Sequence, residues 1–180
     1  MSELKPEQKP NRDLAGRGFR VGIGYDSHRL VEGRPLILGG VRVPFEKGLQ
    51  GHSDADVVLH AVSDALCGAA GLPDIGQLFP DTDPQWHGAD SWLLLQAIAQ
   101  RARQSGWQVG NVDAVLVAQR PKIAPFVPQM RERIAEALGV EVEQVNVRGK
   151  TAEGLGPLGE GLGMEAHAVC LLEFRIENRE

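Results

Sequence analysis

Cysteine is scarce in this chain: only Cys67 and Cys170 occur among 180 residues, each inside an apolar run (DALCGAA and AVCLLEF). That rules out a disulfide framework and a Cys-based zinc site, and both thiols read as core residues. An excess of positive charge is also missing. Nineteen Lys and Arg face 24 Asp and Glu, for a formal net charge of -5, whereas general binding to nucleic acid needs a basic surface that releases counterions from phosphate. No apolar run approaches the roughly 20 residues that span a bilayer, and the first residues lack the hydrophobic region of a secretory signal. A cytoplasmic protein with neither membrane nor nucleic acid as partner is expected. Residues 1–18 are polar, with Pro6 and Pro10 and the acidic Glu3, Glu7 and Asp13. This composition is unlike an Arg-rich transit peptide and reads as a disordered N-terminal tail.

What is present suits one α/β domain over residues 19–177. The chain is 42% hydrophobic and 24% charged, enough to bury roughly two-thirds of the surface of its unfolded form. Phe19 to Gly24 alternates as a strand does, and Leu36-Ile37-Leu38, Gly39-Gly40, Val41-Arg42-Val43 reads as a hairpin. Apolar residues recur at helical spacing from Asp56 to Ala70, ahead of Gly71, and from Ser91 to Gln104, ahead of Gly106. Ser53 and Asp56 resemble a capping box for the first of these helices. Strands are expected at Val112–Ala118, Val145–Val147 and Ala166–Ile176, with a helix at Pro128–Leu138 closed by Gly139. No internal repeat is evident. Helices and strands alternate along the chain, as in an α/β domain.

The chemistry concentrates in a few positions. In Asp26-Ser27-His28, directly after the first strand, the outer two residues point to one side of an extended segment, as two ligands of one metal must. Such a triplet alone is a weak signal. His60 lies in an otherwise apolar helix with Asp56 and Asp64 four residues to either side, a costly cluster to bury and a natural one beside a cation. Two histidines and one carboxylate leave a position open on a tetrahedral zinc, the pattern of a catalytic site. His52 in the loop Gly51-His52-Ser53-Asp54 stands close by, and free amides at the helix start would favour phosphate. His52 can equally be read as a solvated loop residue.

Three further segments admit both a bland and a functional reading. Asp74-Ile75-Gly76 and Phe79-Pro80-Asp81-Thr82-Asp83-Pro84 suit simple turns, but their carboxylates could also accept bonds from ribose or polyol hydroxyls. Ala118 to Lys122 follows an apolar strand, where α/β folds place ligand loops, and Lys122 could pair with phosphate or stay solvated. Arg148 to Gly154 gathers cations, a hydroxyl and a carboxylate suited to phosphate and a second metal, without Walker spacing.

Taken together, GYDSHR, LILGGV, GHSDADVVLHAVSDALCGAAGLPDIGQLFPDTDP, NVDAVLVAQRPK and KTAEGLG resemble the 2-C-methyl-D-erythritol 2,4-cyclodiphosphate synthase family over about residues 19–175. The resemblance implies a mixed sheet covered by helices, assembled as a homotrimer with active sites between subunits. It implies a cytidine diphosphate substrate whose own 2-phosphate attacks the β-phosphorus and expels CMP. Asp26, His28 and His60 would then bind Zn2+, and Glu153 would hold Mg2+ or Mn2+ on the diphosphate. His52 and Thr151 would stabilise the pentacoordinate phosphorus as catalytic groups. Ser53 would lie beside the methylerythritol, Asp74 and Gly76 at the ribose, and Phe79, Asp81 and Asp83 around the polyol. Ala118, Pro121, Lys122, Ile123 and Ala124 would surround the cytidine portion, with Lys150 and Ala152 flanking Thr151 and Asp64 in support. Where the family usually carries a T-T-T-E run, this chain has Lys150-Thr151-Ala152-Glu153, keeping the threonine and glutamate that matter. The competing readings are a zinc-dependent phosphoester hydrolase, in which metal-bound water attacks, and a metal-stabilised nucleotide-binding protein without turnover.

Overall fold

The computed structural model describes residues 18–80, 82–86 and 88–174. Most of the expected tail, residues 1–17, lies outside them, as do the last residues of the expected domain. Strand β1 (Phe19–Glu32) pairs antiparallel with β7 (Gly163–Phe174) in one unbroken register, from Phe19 opposite Glu173 to Arg29 opposite Gly163. On its other side β7 pairs antiparallel with β5 (Trp107–Val117), and β5 pairs parallel with β6 (Val145–Lys150). The short β4 (Lys47–Leu49) adds an edge, giving the order β4-β1-β7-β5-β6. The sheet is therefore mixed. A separate hairpin joins β2 (Leu36–Leu38) to β3 (Val41–Val43), turning on Gly39 and Gly40 with φ of 59 and 74 degrees. A side chain at either would be strained there.

The α-helices among the described residues are α1 (Val57–Ala70), α2 (Ile75–Leu78), α3 (Ser91–Gln104), α4 (Val127–Leu138) and α5 (Gly156–Gly159). Helix α1 packs on β1 and β7, α3 on α1 and β5, and α4 on α3 and β6. Leu59, Leu66, Leu95, Ile98, Leu116, Ile134 and Met164 are fully buried between these layers. None of the helices among the described residues is long and apolar enough to cross a membrane. Among the described residues no helix layer covers the opposite face of the sheet, and there Val21, Ile23 and Tyr25 are 67%, 74% and 51% exposed.

The contact between α1 and β1 is made possible by missing side chains. A Cβ on Gly22 would lie 2.0 Å from the carbonyl oxygen of Ala65, and one on Gly24 would lie 1.9 Å from that of Ala61. Only glycine lets strand and helix backbones come so close. Because strand residues alternate, Asp26 and His28 share the inward face of Gly22 and Gly24 and meet α1 at His60, next to Ala61.

Several expected boundaries move. The Asp26-Ser27-His28 triplet lies within β1 rather than after it, since pairing with β7 carries the strand past Tyr25. Asp56 itself is the N-cap of α1, accepting bonds from the amides of Val58 and Leu59, and from Gly39 and Gly40 as well. The Ser53–Asp56 capping box is therefore not formed; Ser53 Oγ accepts from Ala55 N instead. Those bonds also show why the carboxylate is tolerated at full burial, which requires paired polar groups. Gly71 closes α1 in the left-handed region, as expected.

Replacing Gly24 with alanine should lower unfolding free energy by about 3 kcal/mol or more, at the upper end of overpacking costs because the clash is with backbone. Denaturant unfolding of the variant measures this.

Candidate active site

Burial on β1 and α1 brings Asp26, His28 and His60 together. Their side chains are 24%, 19% and 14% exposed, and the candidate ligand atoms all lie within 4.8 Å of one another. His28 Nε2 and His60 Nδ1 each stand 2.9 Å from Asp26 Oδ2 and 3.2 Å from each other. Donors around a tetrahedral zinc at its usual bond lengths stand about 3.4 Å apart, so small outward shifts suit the trio to an ion. Burial raises the Asp26 carboxyl pKa, but bonds from His28 and His60 outweigh it and hold it below the usual carboxylate range. For His60, burial lowers the imidazole pKa, but the Asp26 carboxylate, aided by the charges of Asp56 and Asp54, raises it by more, so the net shift is upward.

The far nitrogen of His60 is also held. His60 Nε2 lies 2.9 Å from Ser91 Oγ and 3.3 Å from Ser53 Oγ, and Ser91 Oγ donates to Asp54 Oδ1. Asp54 Oδ2 in turn accepts from Ser91 N at 3.1 Å. An Nε2–H donating to Ser91 is the tautomer a cation requires, because it leaves the Nδ1 lone pair for the ion once the proton facing Asp26 is displaced. Sequence reasoning missed this role of Ser91. It lies 31 positions from His60 at the start of α3, and its spacing carries no signal of the contact.

The aspartates that flank His60 in sequence each have a backbone partner in the fold. Asp56 caps the helix, occupying the very amides that had been expected to stay free for phosphate. Asp64 accepts from Ile75 N at 2.9 Å and so ties α2 to α1. The acidic flanks of His60 therefore did not require a cation to explain them. Helical spacing put them on one face, but backbone donors from other segments reached them first.

A cavity of about 180 Å3 opens beside the trio, lined by His28, His52, Ser53, His60, Gly76 and Phe79 together with Trp86 and Leu94. Phe79 is packed edge-on against Trp86, with ring centroids 4.9 Å apart. Asp74 is the N-cap of α2, accepting from Gln77 N at 2.8 Å, and Asp83 accepts from Gln85 N at 3.1 Å, so both also do turn work. Asp81 lies outside the described residues.

A larger cavity of about 540 Å3 is lined by Ala118, Pro121, Lys122, Ile123, Ala124, Lys150 and Thr151, with Leu116, Gln119, Val127, Val147, Arg148 and Gly149 completing it. Gly149 is required here, since a Cβ would come 2.8 Å from Ile123. Beyond Ala152, the exposed Glu153 has a positive φ of 51 degrees and accepts a bond from Thr151 Oγ1. Among the described residues none lines both cavities. Register runs from Asp26 through Ala166 and Leu116 to Gly149, three strand spacings or about 14 Å. Within one chain, the trio and the larger cavity are thus apart.

An α/β domain with a mixed sheet and an Asp-His-His group opening on a cavity is the class that this geometry defines. The YgbB family matches residues 19–173, and the chain belongs to that family. The 2-C-methyl-D-erythritol 2,4-cyclodiphosphate synthase of Clostridium perfringens is 55% identical over 86% of this chain and 99% of its own. The synthase of Chromobacterium violaceum is 60% identical over 86% of this chain and 98% of its own. Among solved structures, the Plasmodium falciparum IspF CDP complex superposes with a TM-score of 0.78 at 34% identity, over 88% of this chain and 98% of that one. The bifunctional IspDF of Campylobacter jejuni gives 0.86 at 38% identity over 89% of this chain; the match spans only 43% of that longer protein.

Removing the Ser91 hydroxyl frees the His60 ring to turn and to change tautomer. Ser91→Ala should therefore weaken metal affinity roughly 10- to 100-fold, read by competition titration against a chromophoric chelator, with the protein still folded.

Proposed function

We propose that the chain converts 4-diphosphocytidyl-2-C-methyl-D-erythritol 2-phosphate to the 2,4-cyclodiphosphate with release of CMP. The observation that carries this reading is the convergence of Asp26, His28 and His60 beside His52 and Ser53, in a chain 55% to 60% identical to named synthases over 86% of its length. An oxygen of the substrate's 2-phosphate forms a bond to the β-phosphorus. The bond from that phosphorus to the bridging oxygen breaks, and CMP leaves with the electron pair. The nucleophile belongs to the substrate, so the protein's task is to align two anionic groups and offset their repulsion.

Asp26, His28 and His60 would hold Zn2+, and Glu153 would hold Mg2+ or Mn2+. When bound, these ions polarise and orient phosphate oxygens. His52 and Thr151 meet the oxygens of the phosphorus that gains a fifth oxygen, and Ser53 faces the methylerythritol. Asp74 and Gly76 receive the ribose, while Phe79, Asp81 and Asp83 enclose the polyol. The larger cavity takes the cytidine portion: Ala118, Pro121, Ile123 and Ala124 give an apolar floor, and Lys122 and Lys150 supply charge beside Ala152. Asp64, through its bond to Ile75 N, supports the ribose loop.

A homotrimer follows from the same reading. The trio and the larger cavity stand apart within one chain, so a neighbour's cavity beside this chain's trio completes the site. The apolar outer face of the sheet, with Val21, Ile23 and Val169 exposed, is the surface that copies would bury. The catalytic unit is residues 19–177, acting in the cytoplasm on a small-molecule substrate.

Incubation with the linear substrate should yield the cyclic diphosphate and one equivalent of CMP. A linear hydrolysis product would mean the phosphoester hydrolase instead. Chelation should abolish turnover, and zinc together with magnesium should restore it. His60→Ala should remain folded yet lose zinc and on the order of 100-fold or more of kcat; an unfolded variant would favour a merely structural metal.

A further inference from the structure

Three consecutive carbonyls around His52 are held by outside donors. Arg34 donates from one terminal nitrogen to Gly51 O at 2.8 Å and from the other to Ser53 O at 2.6 Å. Gly88 N donates to the carbonyl between them, His52 O, at 2.8 Å. The loop is thus gripped on alternating sides, and two of its three anchors are one guanidinium.

Arg34 is itself fixed from behind. It follows Gly33, whose φ is 78 degrees, in the turn from β1 to β2. That turn lies flat on β4: a Cβ on Gly48 would come 2.5 Å from Arg34 O and 2.3 Å from Pro35 O. The buried Nε of Arg34 has no partner, and no carboxylate pairs with its head among the described residues. Its placement is therefore set by the two carbonyls, not by an ion pair. A planar fork can meet both carbonyls at once, whereas an ammonium is a single point donor.

We propose that Arg34 is a positioning residue for His52, holding the loop so that the imidazole faces the cavity beside the Asp26, His28 and His60 group. This rests on the reading of His52 as a group that meets the reacting phosphorus. Arg34 does not line that cavity, so it acts through the loop and not by touching substrate.

The test is a double-variant cycle in the metal-loaded enzyme, following CMP release for Arg34→Ala, His52→Ala and the pair, with zinc content and melting recorded for each. Arg34→Ala should lower kcat about 10- to 100-fold, the scale of a loop displaced by about an ångström, with KM and zinc content little changed. Added guanidinium ion should restore part of the rate, and Arg34→Lys should recover little. In the His52→Ala background the same change should cost less than about 2-fold, because the two act as one unit. A full, additive loss in that background overturns the proposal, as does a lowered melting point with unchanged kcat. An unchanged kcat in His52→Ala alone overturns the reading of His52 instead; loss there with full activity in Arg34→Ala overturns only the role of Arg34. Should Arg34→Ala fail to fold, the cycle of Arg34→Lys against His52→Ala makes the same comparison.

Discussion

The close approach of α1 to β1 is the constraint on which the rest of the structure depends. Gly22 and Gly24 leave no side chain between the strand and the carbonyls of Ala65 and Ala61, so the two backbones meet directly. Just past Gly24 on the strand and next to Ala61 on the helix, Asp26, His28 and His60 meet. Had larger residues separated strand and helix, the carboxylate and imidazoles would stand too far apart to share one ion. The glycines lie outside the trio, yet they set the distances within it.

Around that contact, polar groups link neighbouring segments. Asp56 joins the Gly39–Gly40 turn to the start of α1, Asp64 joins α1 to α2, and Asp54 with Ser91 joins the His52 loop to α3. Each of these carboxylates satisfies backbone amides that burial would otherwise leave unpaired. The same bonds orient the site: the Asp54 and Ser91 pair reaches His60, and Arg34 reaches the loop on either side of His52. Structural satisfaction and preorganisation are here the same set of hydrogen bonds.

The fold also leaves something open. Helices cover one face of the sheet, while the other presents Val21, Ile23 and Val169 to solvent. The trio and the larger cavity share no lining residue. Both features have one economical explanation in an assembly that buries the face and joins the two half-sites. Oligomerisation would then be a condition of turnover as well as of stability.

Much of this was legible in the linear chain. Periodicity placed α1 and α3 almost to the residue, the glycine pair marked the hairpin, and His60 stood out in an apolar helix and gave weight to the otherwise weak Asp26-Ser27-His28 triplet. Local pattern could do this because it depends on neighbours three or four positions away. It overreached with Asp56 and Asp64, whose helical spacing suggested a cation while their true partners, the amides of Gly39, Gly40 and Ile75, come from other segments. It was silent on Ser91 and Arg34, whose contacts with His60 and with the His52 loop span 31 and 17 to 19 positions. Residue type and local spacing named the candidate ligands and, to within a few residues, the strand and helix near which they lie. Which of those residues meet, and what holds them there, came from the packed fold, because hydrogen-bond partners distant in the chain are chosen by packing.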